Sequence, residues 1–224
     1  MTAPPIWGSW RPSRWLAIGL AVVLASSGLA SCGGILSEPP QRKLYQVRPS
    51  VSFAAPLRHS SAQLLVALPN APAGLDTDRI ALSRSSLSLD YFADVQWTDR
   101  APLLVQSALL EGFEKSGAVP AVGRDSAGLR ADFILETDLR EFSAIYDSPT
   151  GPPRAAVAFN VKLIKIPERK IIGVHSVTRQ QPAAADTIPE IVRAFDAALG
   201  GAVEEAVRWA VGNPALSSGR ASLF

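Results

Sequence analysis

The chain is poor in cysteine and in histidine. Among its 224 residues there is one cysteine, Cys32, and there are two histidines, His59 and His175. One thiol cannot form a disulfide within the chain, and neither histidine has a second ligand at the spacing of a zinc site. The sequence therefore excludes an internal disulfide and offers no metal centre, and we interpret both histidines as surface or sheet residues.

The chain also lacks an excess of charge and the common motifs of catalysis. It has 22 basic and 20 acidic residues, without the basic, aromatic-rich stretch that binds nucleic acid. It has no Gly-x-Ser-x-Gly elbow and no Gly-x-x-x-x-Gly-Lys loop, so serine hydrolysis and P-loop nucleotide binding lack their motifs. Asp132, Glu136 and Asp138 share a face of one predicted strand, for which the solvent side of a sheet is the commoner explanation. We therefore predict a protein that is not an enzyme and needs no cofactor.

The first 31 residues have the three parts of an export signal. Arg11 and Arg14 provide positive charge, residues 15–24 are apolar, residues 25–31 are mostly small, and no acidic residue occurs among them. This order predicts a secretory signal peptide over residues 1–31. The apolar run is too short for a comfortable membrane span, because about 20 apolar residues are needed.

The cysteine directly follows this signal. Leu29, Ala30, Ser31 and Cys32 resemble the bacterial lipoprotein box, in which the cysteine is acylated and becomes the new N-terminus. We predict lipidation of Cys32; the alternatives are a thiol in a transmembrane anchor and an intermolecular disulfide. In such lipoproteins an acidic residue after the cysteine favours retention in the inner membrane. Gly33 stands there instead, so the resemblance implies the outer membrane, where several acyl chains anchor stably.

Beyond the signal, the sequence predicts a tether over residues 32–43, one domain over residues 44–211 and a disordered tail over residues 212–224. Apolar runs and alternating polar and apolar residues predict strands at residues 44–47, 63–68, 80–83, 86–92, 95–97, 131–142, 155–166 and 170–180. Short turns join the last three strands, which predicts an antiparallel meander with one face on the core.

Two segments have the period of amphipathic helices. The first begins after Thr98 or Asp99, either of which can cap it. The second covers residues 188–211, and Thr187 and Glu190 have capping-box spacing. Together these elements predict an α+β fold, with an antiparallel or mixed sheet and two amphipathic helices packed on one face.

Two aromatic residues near strand ends, Tyr45 and Trp97, are candidate contacts for a partner, because aromatic side chains dominate the energetics of interfaces. The alternative is that both belong to the core, which is the commoner role of such residues.

Four segments of the domain carry a resemblance to a known family. They are residues 75–80 (LDTDRI), 94–99 (DVQWTD), 131–142 (ADFILETDLREF) and 194–199 (AFDAAL). In this order and spacing they resemble the ABC-type transport auxiliary lipoprotein family, the lipoprotein partners of MCE-type lipid transport systems in Gram-negative envelopes. The likeness covers about residues 44–211. Arg79, in the first segment, is a third candidate contact.

The resemblance implies a non-enzymatic lipoprotein of the periplasm, tethered to the outer membrane by its lipid anchor. Its partner would be an MCE-domain protein that reaches across from an ABC permease and ATPase in the inner membrane. The cargo would be a lipid or another hydrophobic molecule, and an edge strand or a loop surface would bind the partner. Such assemblies are often multimeric, so self-association fits the resemblance.

Three other functions stay open at this point. The first is a general scaffold or assembly lipoprotein of the outer membrane, because a tethered domain of sheet and helices serves either purpose. The second is an envelope hydrolase, which would need a clustered nucleophile and base. The third is a lipid carrier, which would need a large apolar cavity that the regular amphipathic patterns do not suggest.

Overall fold

The computed structural model describes residues 42–217 except Ser86 and Leu129. The predicted signal, the lipobox with Cys32 and most of the tether lie outside the described residues, as does the end of the tail. The elements in chain order are β1 (Lys43–Tyr45), β2 (Gln63–Val66), β3 (Arg79–Ser83), β4 (Asp90–Trp97), α1 (Ala101–Ser116), β5 (Ala121–Arg124), a 3-10 turn (Asp125–Ala127), β6 (Phe133–Ile145), β7 (Arg154–Lys165), β8 (Lys170–Pro182), α2 (Ile188–Gly212) and α3 (Pro214–Ser217).

The eight strands form one mixed sheet around β6. Strand β7 pairs antiparallel with one edge of β6 along its whole length, and β8 continues the meander as predicted. The other edge of β6 is shared by two parallel strands: β2 pairs with residues 133–135 and β3 with residues 143–145. Beyond them, β5 extends from β2, and β4 followed by β1 extends from β3. The predicted α+β class with a mixed sheet is confirmed.

The helices cover the sheet because each has a continuous apolar stripe. Helix α2 packs on β7, β8 and α1, and its buried side chains include Phe195, which contacts the rings of Trp97 and Phe142. Helix α1 approaches α2 closely at Gly112, where a Cβ atom would lie 2.3 Å from Val203 Cγ1. As far as the structure describes residues 42–217, no helix is both long enough and apolar enough to cross a membrane.

The structure corrects the predicted caps. Helix α1 begins after Arg100 rather than after Thr98 or Asp99, and no side chain caps it. Thr187 is the N-cap of α2, but its side chain makes no capping hydrogen bond, so the predicted capping-box contact with Glu190 is wrong. Each of the two long helices has a proline in its first turn, and it favours the helical start because proline has no N–H to satisfy.

The predicted disordered tail begins too early. Residues 214–217 form the third, short helix, and Leu216 is fully buried in the core. The Ser60 hydroxyl donates a 2.5 Å hydrogen bond to the Leu216 carbonyl oxygen, which joins this segment to the chain before β2. The buried Leu216 side chain, the packing of Ala215 and this hydrogen bond therefore hold the segment to the domain.

Candidate functional site

Trp97 is not a surface residue. It is 1% exposed, and its ring makes edge contacts with Phe142 at 5.8 Å and Phe195 at 5.2 Å between centroids. Trp97 lies at the end of β4, and its contact with Phe195 of α2 places it on the face that the helices cover. The core alternative therefore applies to Trp97, and its interpretation as a partner contact is wrong.

Tyr45 and Arg79 lie on the two strands that flank β4, Tyr45 on β1 and Arg79 on β3. Tyr45 is partly buried on the edge strand β1, whereas Arg79 is exposed on β3. Arg79 and Leu44 are both opposite Gln96 of the intervening β4, so their side chains share the outer face of the sheet. The Arg79 guanidinium lies 3.7 Å from the centroid of the Tyr91 ring. Arg79 is thus fixed by a cation–π contact on an exposed surface.

Both histidines contact other residues of the fold. His175 on β8 makes a 2.9 Å hydrogen bond to Glu205 of α2, and its ring stacks on Trp209 at 5.4 Å between centroids. The second Glu205 oxygen forms a 2.7 Å ion pair with Arg179. These contacts join β8 to α2. His59 is exposed, with Nδ1 3.1 Å from the Gly117 carbonyl oxygen.

The carboxylates predicted on the solvent face of β6 also have partners in the sheet. Asp138 accepts a 2.9 Å hydrogen bond from Lys162 on β7, and this bond holds the pKa of the Asp138 carboxyl below its usual value. Asp132 accepts a 2.8 Å hydrogen bond from the Gln63 backbone N–H. Within the described part of the chain, no three His, Cys, Asp or Glu side chains group as a metal site.

Strand β8 offers the longest free strand edge of the described structure. It has 13 residues, and in the described part of the chain it pairs with β7 alone. Two of its apolar side chains are exposed, Ile171 at 51% and Val174 at 57%. A free edge presents unpaired backbone N–H and carbonyl groups to another chain. The sequence identified β8 as a strand, but its edge position follows from the pairing of the other strands.

A groove of about 740 Å³ lies at the end of the sheet where β6 ends and β7 begins. Its other wall is formed by the β3–β4 loop, through Ser85 and residues 87–89. At its rim Arg154 Nε donates a 3.0 Å bond to Asp147, and the Tyr146 hydroxyl donates a 2.6 Å bond to Asp186. Burial, followed by this hydrogen bond, raises the pKa of Tyr146 to about 12.

The β3–β4 loop exposes apolar side chains that sequence reasoning assigned elsewhere. The sequence predicts a strand from residue 86, whereas β4 begins at Asp90. Leu87 therefore lies in the loop, where it is 96% exposed, and Leu89 is 43% exposed. The sequence signal for these exposed side chains is a pair of leucines among serines between two strands. Turns are formed mainly by glycine, proline, asparagine, aspartate and serine, so leucines are unusual there.

Comparison with known proteins identifies relatives of the whole domain. The model of the family described as ABC-type transport auxiliary lipoprotein component matches residues 44–207. An uncharacterized protein of Bradyrhizobium diazoefficiens, bll6063, is 29% identical over 178 residues, which are 77% of this chain and 46% of that protein. The chain thus spans about half the length of this curated relative.

Solved structures share the fold. Protein XCC0632 of Xanthomonas campestris superposes with a TM-score of 0.73 and 26% identity, over 79% of this chain and 98% of that one. A further crystal structure, of an uncharacterized protein, has a TM-score of 0.59 and 13% identity, over 76% of this chain and 99% of that one. This second likeness concerns the fold alone.

Proposed function

The chain belongs to the family of ABC-type transport auxiliary lipoprotein components, and we propose that it is the non-enzymatic lipoprotein of an MCE-type lipid transport system. In this proposal its domain lies in the periplasm, held to the outer membrane through acylated Cys32. It binds the MCE-domain protein of an ABC permease and ATPase complex and so docks the transporter to that membrane. The family match over residues 44–207 is the observation that carries the proposal.

The N-terminal sequence supports the membrane attachment. The family description names a lipoprotein, which fits a membrane-anchored protein outside the cytoplasm. The chain carries one cysteine, and it follows the apolar segment at the position of a lipobox cysteine. Two or more acyl chains on that residue would anchor the protein stably, because each buried methylene contributes about 0.8 kcal/mol.

We propose that the free edge of β8 is the docking surface. Backbone pairing at such an edge gives affinity, and the exposed side chains on either side give specificity. Ile171 and Val174 provide apolar contacts next to this edge. Helix α2 supports the strand from the core side through Glu205, so the edge is held in a fixed position before a partner arrives.

The first test is a pull-down of the tagged, full-length protein in mild detergent, with mass spectrometry of the captured proteins. We expect an MCE-domain protein together with its permease or ATPase. Cys32→Ala should release the domain from the membrane or block its processing, and abolish that capture. Capture of barrel-assembly or lipopolysaccharide components without an MCE protein would instead favour a general scaffold lipoprotein.

A matched pair of variants tests the docking surface. Val174 on β8 and Leu44 on β1 are equally exposed, at 57%, and they lie in different edge strands of the sheet. Val174→Glu should reduce capture of the MCE protein while the membrane fraction stays unchanged, whereas Leu44→Glu should leave both unchanged. Equal capture by the two variants would rule out the β8 edge and leave the family-based proposal standing.

A further inference from the structure

We propose that the partner segment at the β8 edge is an antiparallel strand whose C-terminal end carries apolar, β-branched residues followed by an acidic residue. This inference rests on the proposed docking at β8 and states what the partner must carry there. Three features of β8 point to it: the side chains aligned with its exposed isoleucine, the position of its unpaired positive charge, and the part of its edge that is regular.

An apolar row crosses the outer face of the meander, the face away from the helices, and ends at β8. Ile134 of β6 lies opposite Ile164 of β7, which lies opposite Ile171 of β8. The first two are half-buried, whereas Ile171 is 51% exposed because it lies on the edge strand. A strand added at β8 would place one residue beside Ile171 and another beside Val174. Cross-strand pairs of β-branched residues stabilise a sheet, so such residues fit both positions.

The inner side of β8 is already occupied by α2. A Cβ atom on Gly173 would lie 2.9 Å from Asn213 Nδ2 and 3.0 Å from Trp209 Cζ2. The ring of His175 stacks on the same Trp209, and Val177 is 1% exposed. A partner can therefore reach the backbone edge of β8 and its outer side chains. In strand addition the backbone gives affinity, so the outer side chains of β8 are the ones that distinguish between partners.

Positive charge without a carboxylate partner lies at the start of β8. The strand contains Lys170 and Arg179 and no acidic residue, and Arg179 is paired with a carboxylate of α2 at 2.7 Å. The one carboxylate of the β7–β8 turn, Glu168, is bound by Lys165 at 2.8 Å. Among the described residues neither Arg169 nor Lys170 forms an ion pair, and both are exposed. An acidic residue of the partner at this end would meet two cations, whereas a basic residue would be repelled.

The edge that is open to pairing has a defined length and a preferred direction. Residues 173–181 pair regularly with β7, between a bulge at Leu163 and Ile164 and the end of the strand at Pro182, which has no N–H to donate. This stretch is longer than the usual strand of about 5–6 residues. Strand β7 is antiparallel to β8, and an antiparallel addition continues the meander with the more stable ladder. The C-terminal end of the added strand then lies beside the two unpaired cations.

The test maps the partner segment by photo-crosslinking in cells. A photoreactive phenylalanine analogue replaces Val174 in the full-length protein, and mass spectrometry identifies the peptide linked to it. The control carries the same analogue in place of Leu44, which is equally exposed at 57% but lies on β1. A third protein carries it in place of Thr178, which is exposed four residues further along β8. The order of the two linked residues in the partner gives the direction of pairing.

We expect the peptide linked at residue 174 to contain valine or isoleucine, with an aspartate or glutamate within four residues on its C-terminal side, because four residues separate Val174 from Lys170. The residue linked at 178 should lie N-terminal to the residue linked at 174. A linked peptide without that acidic residue, the reverse order of the two links, or no more linkage than at residue 44 would overturn the proposal.

Charge reversal provides an independent measurement. Lys170→Glu should reduce the yield of the link at residue 174 about fivefold, because it replaces an exposed attraction by a repulsion, and should weaken its dependence on salt. The matched control is Arg58→Glu, which reverses an exposed cation away from β8 and should leave the yield unchanged. Equal yields from the two variants would overturn the proposal. The expected pattern in a protein without an MCE domain would support this inference and contradict the proposed function, whereas an MCE peptide without the acidic residue would do the reverse.

Discussion

The contact between the two long helices can be tested at Gly112. In an exposed helix interior, replacing glycine by alanine stabilises by about 1 kcal/mol. At Gly112 a Cβ atom would instead lie 2.3 Å from Val203 Cγ1 and 3.4 Å from Val207 Cγ2. Val203 and Val207 are both fully buried, so the new methyl has no space without a shift of the helices.

The cost of overpacking and the gain in helix propensity together decide whether Gly112→Ala destabilises or stabilises the protein. Overpacking of a well-packed core costs about 1–3 kcal/mol, and the clash at Gly112 falls in the upper part of that range because the nearest atom belongs to a short, branched side chain. Subtracting the gain in helix propensity leaves a net loss of about 1–2 kcal/mol for Gly112→Ala. We expect this loss in the free energy of unfolding, measured by urea titration of the full-length protein in detergent with circular dichroism.

Gly201 provides the matched control. It lies in the interior of α2, and the nearest atoms to a Cβ there are 3.6 Å away, in the flexible side chain of Arg179. Gly201→Ala should therefore stabilise the protein by about 0.5–1 kcal/mol. The double variant Gly112→Ala with Val203→Ala should be more stable than the sum of the single changes predicts, because the smaller side chain relieves the clash. Stabilisation by Gly112→Ala alone, equal to that at Gly201, would refute the close approach of α1 and α2.

Three further changes test the core and the sheet. Phe195→Ala should lower the free energy of unfolding by about 3–5 kcal/mol, because it leaves a cavity among aromatic rings; a loss below 1 kcal/mol would contradict the described cluster. Lys162→Met should flatten the fall of stability at acid pH. The hydrogen bond from Lys162 lowers the pKa of the Asp138 carboxyl, so its contribution to stability is present above the usual aspartate pKa and is lost as pH falls through the lowered, folded-state pKa. In the native protein, stability should fall as pH rises from 10 to about 12, because the Tyr146 pKa is raised by burial and by Asp186. Tyr146→Phe should remove that decline and the last step of the ultraviolet titration; an unchanged titration would refute the assignment.

The meander and the long helix could be predicted from the sequence because their patterns are local. Residues Phe133, Leu135, Thr137 and Leu139 alternate with less buried neighbours, most of them polar, and all four are buried. The alternation ends at a bulge between Leu139 and Glu141, beyond which three consecutive residues are buried. A bulge inserts one unpaired residue and changes which side chains face the core, and periodicity alone gives no sign of it.

The parallel pairings could not be predicted in the same way. The apolar run at residues 63–68 indicated a buried strand, but its neighbours on both sides, β5 and β6, are distant in the chain. Strand β5 was not predicted, because four residues that include a glycine and an arginine have no clear period. Of the candidate contacts, Arg79 and Tyr45 are accessible to some degree and Trp97 is not. Burial depends on which face the helices cover, and the sequence of β4 alone does not state that.

The shared edge of β6 has a consequence for the order in which the protein can fold. Its partners β2 and β3 precede it by about 60–70 residues and are not paired with each other, and β7 follows it. A chain that emerges N-terminus first therefore exposes β2, β3 and β4 well before the strand that unites them is available. Sheets dominated by such distant pairings fold in milliseconds to seconds rather than microseconds. During that interval the unpaired strand edges can pair with other chains. The nascent protein therefore needs protection from aggregation until β6 is available for pairing.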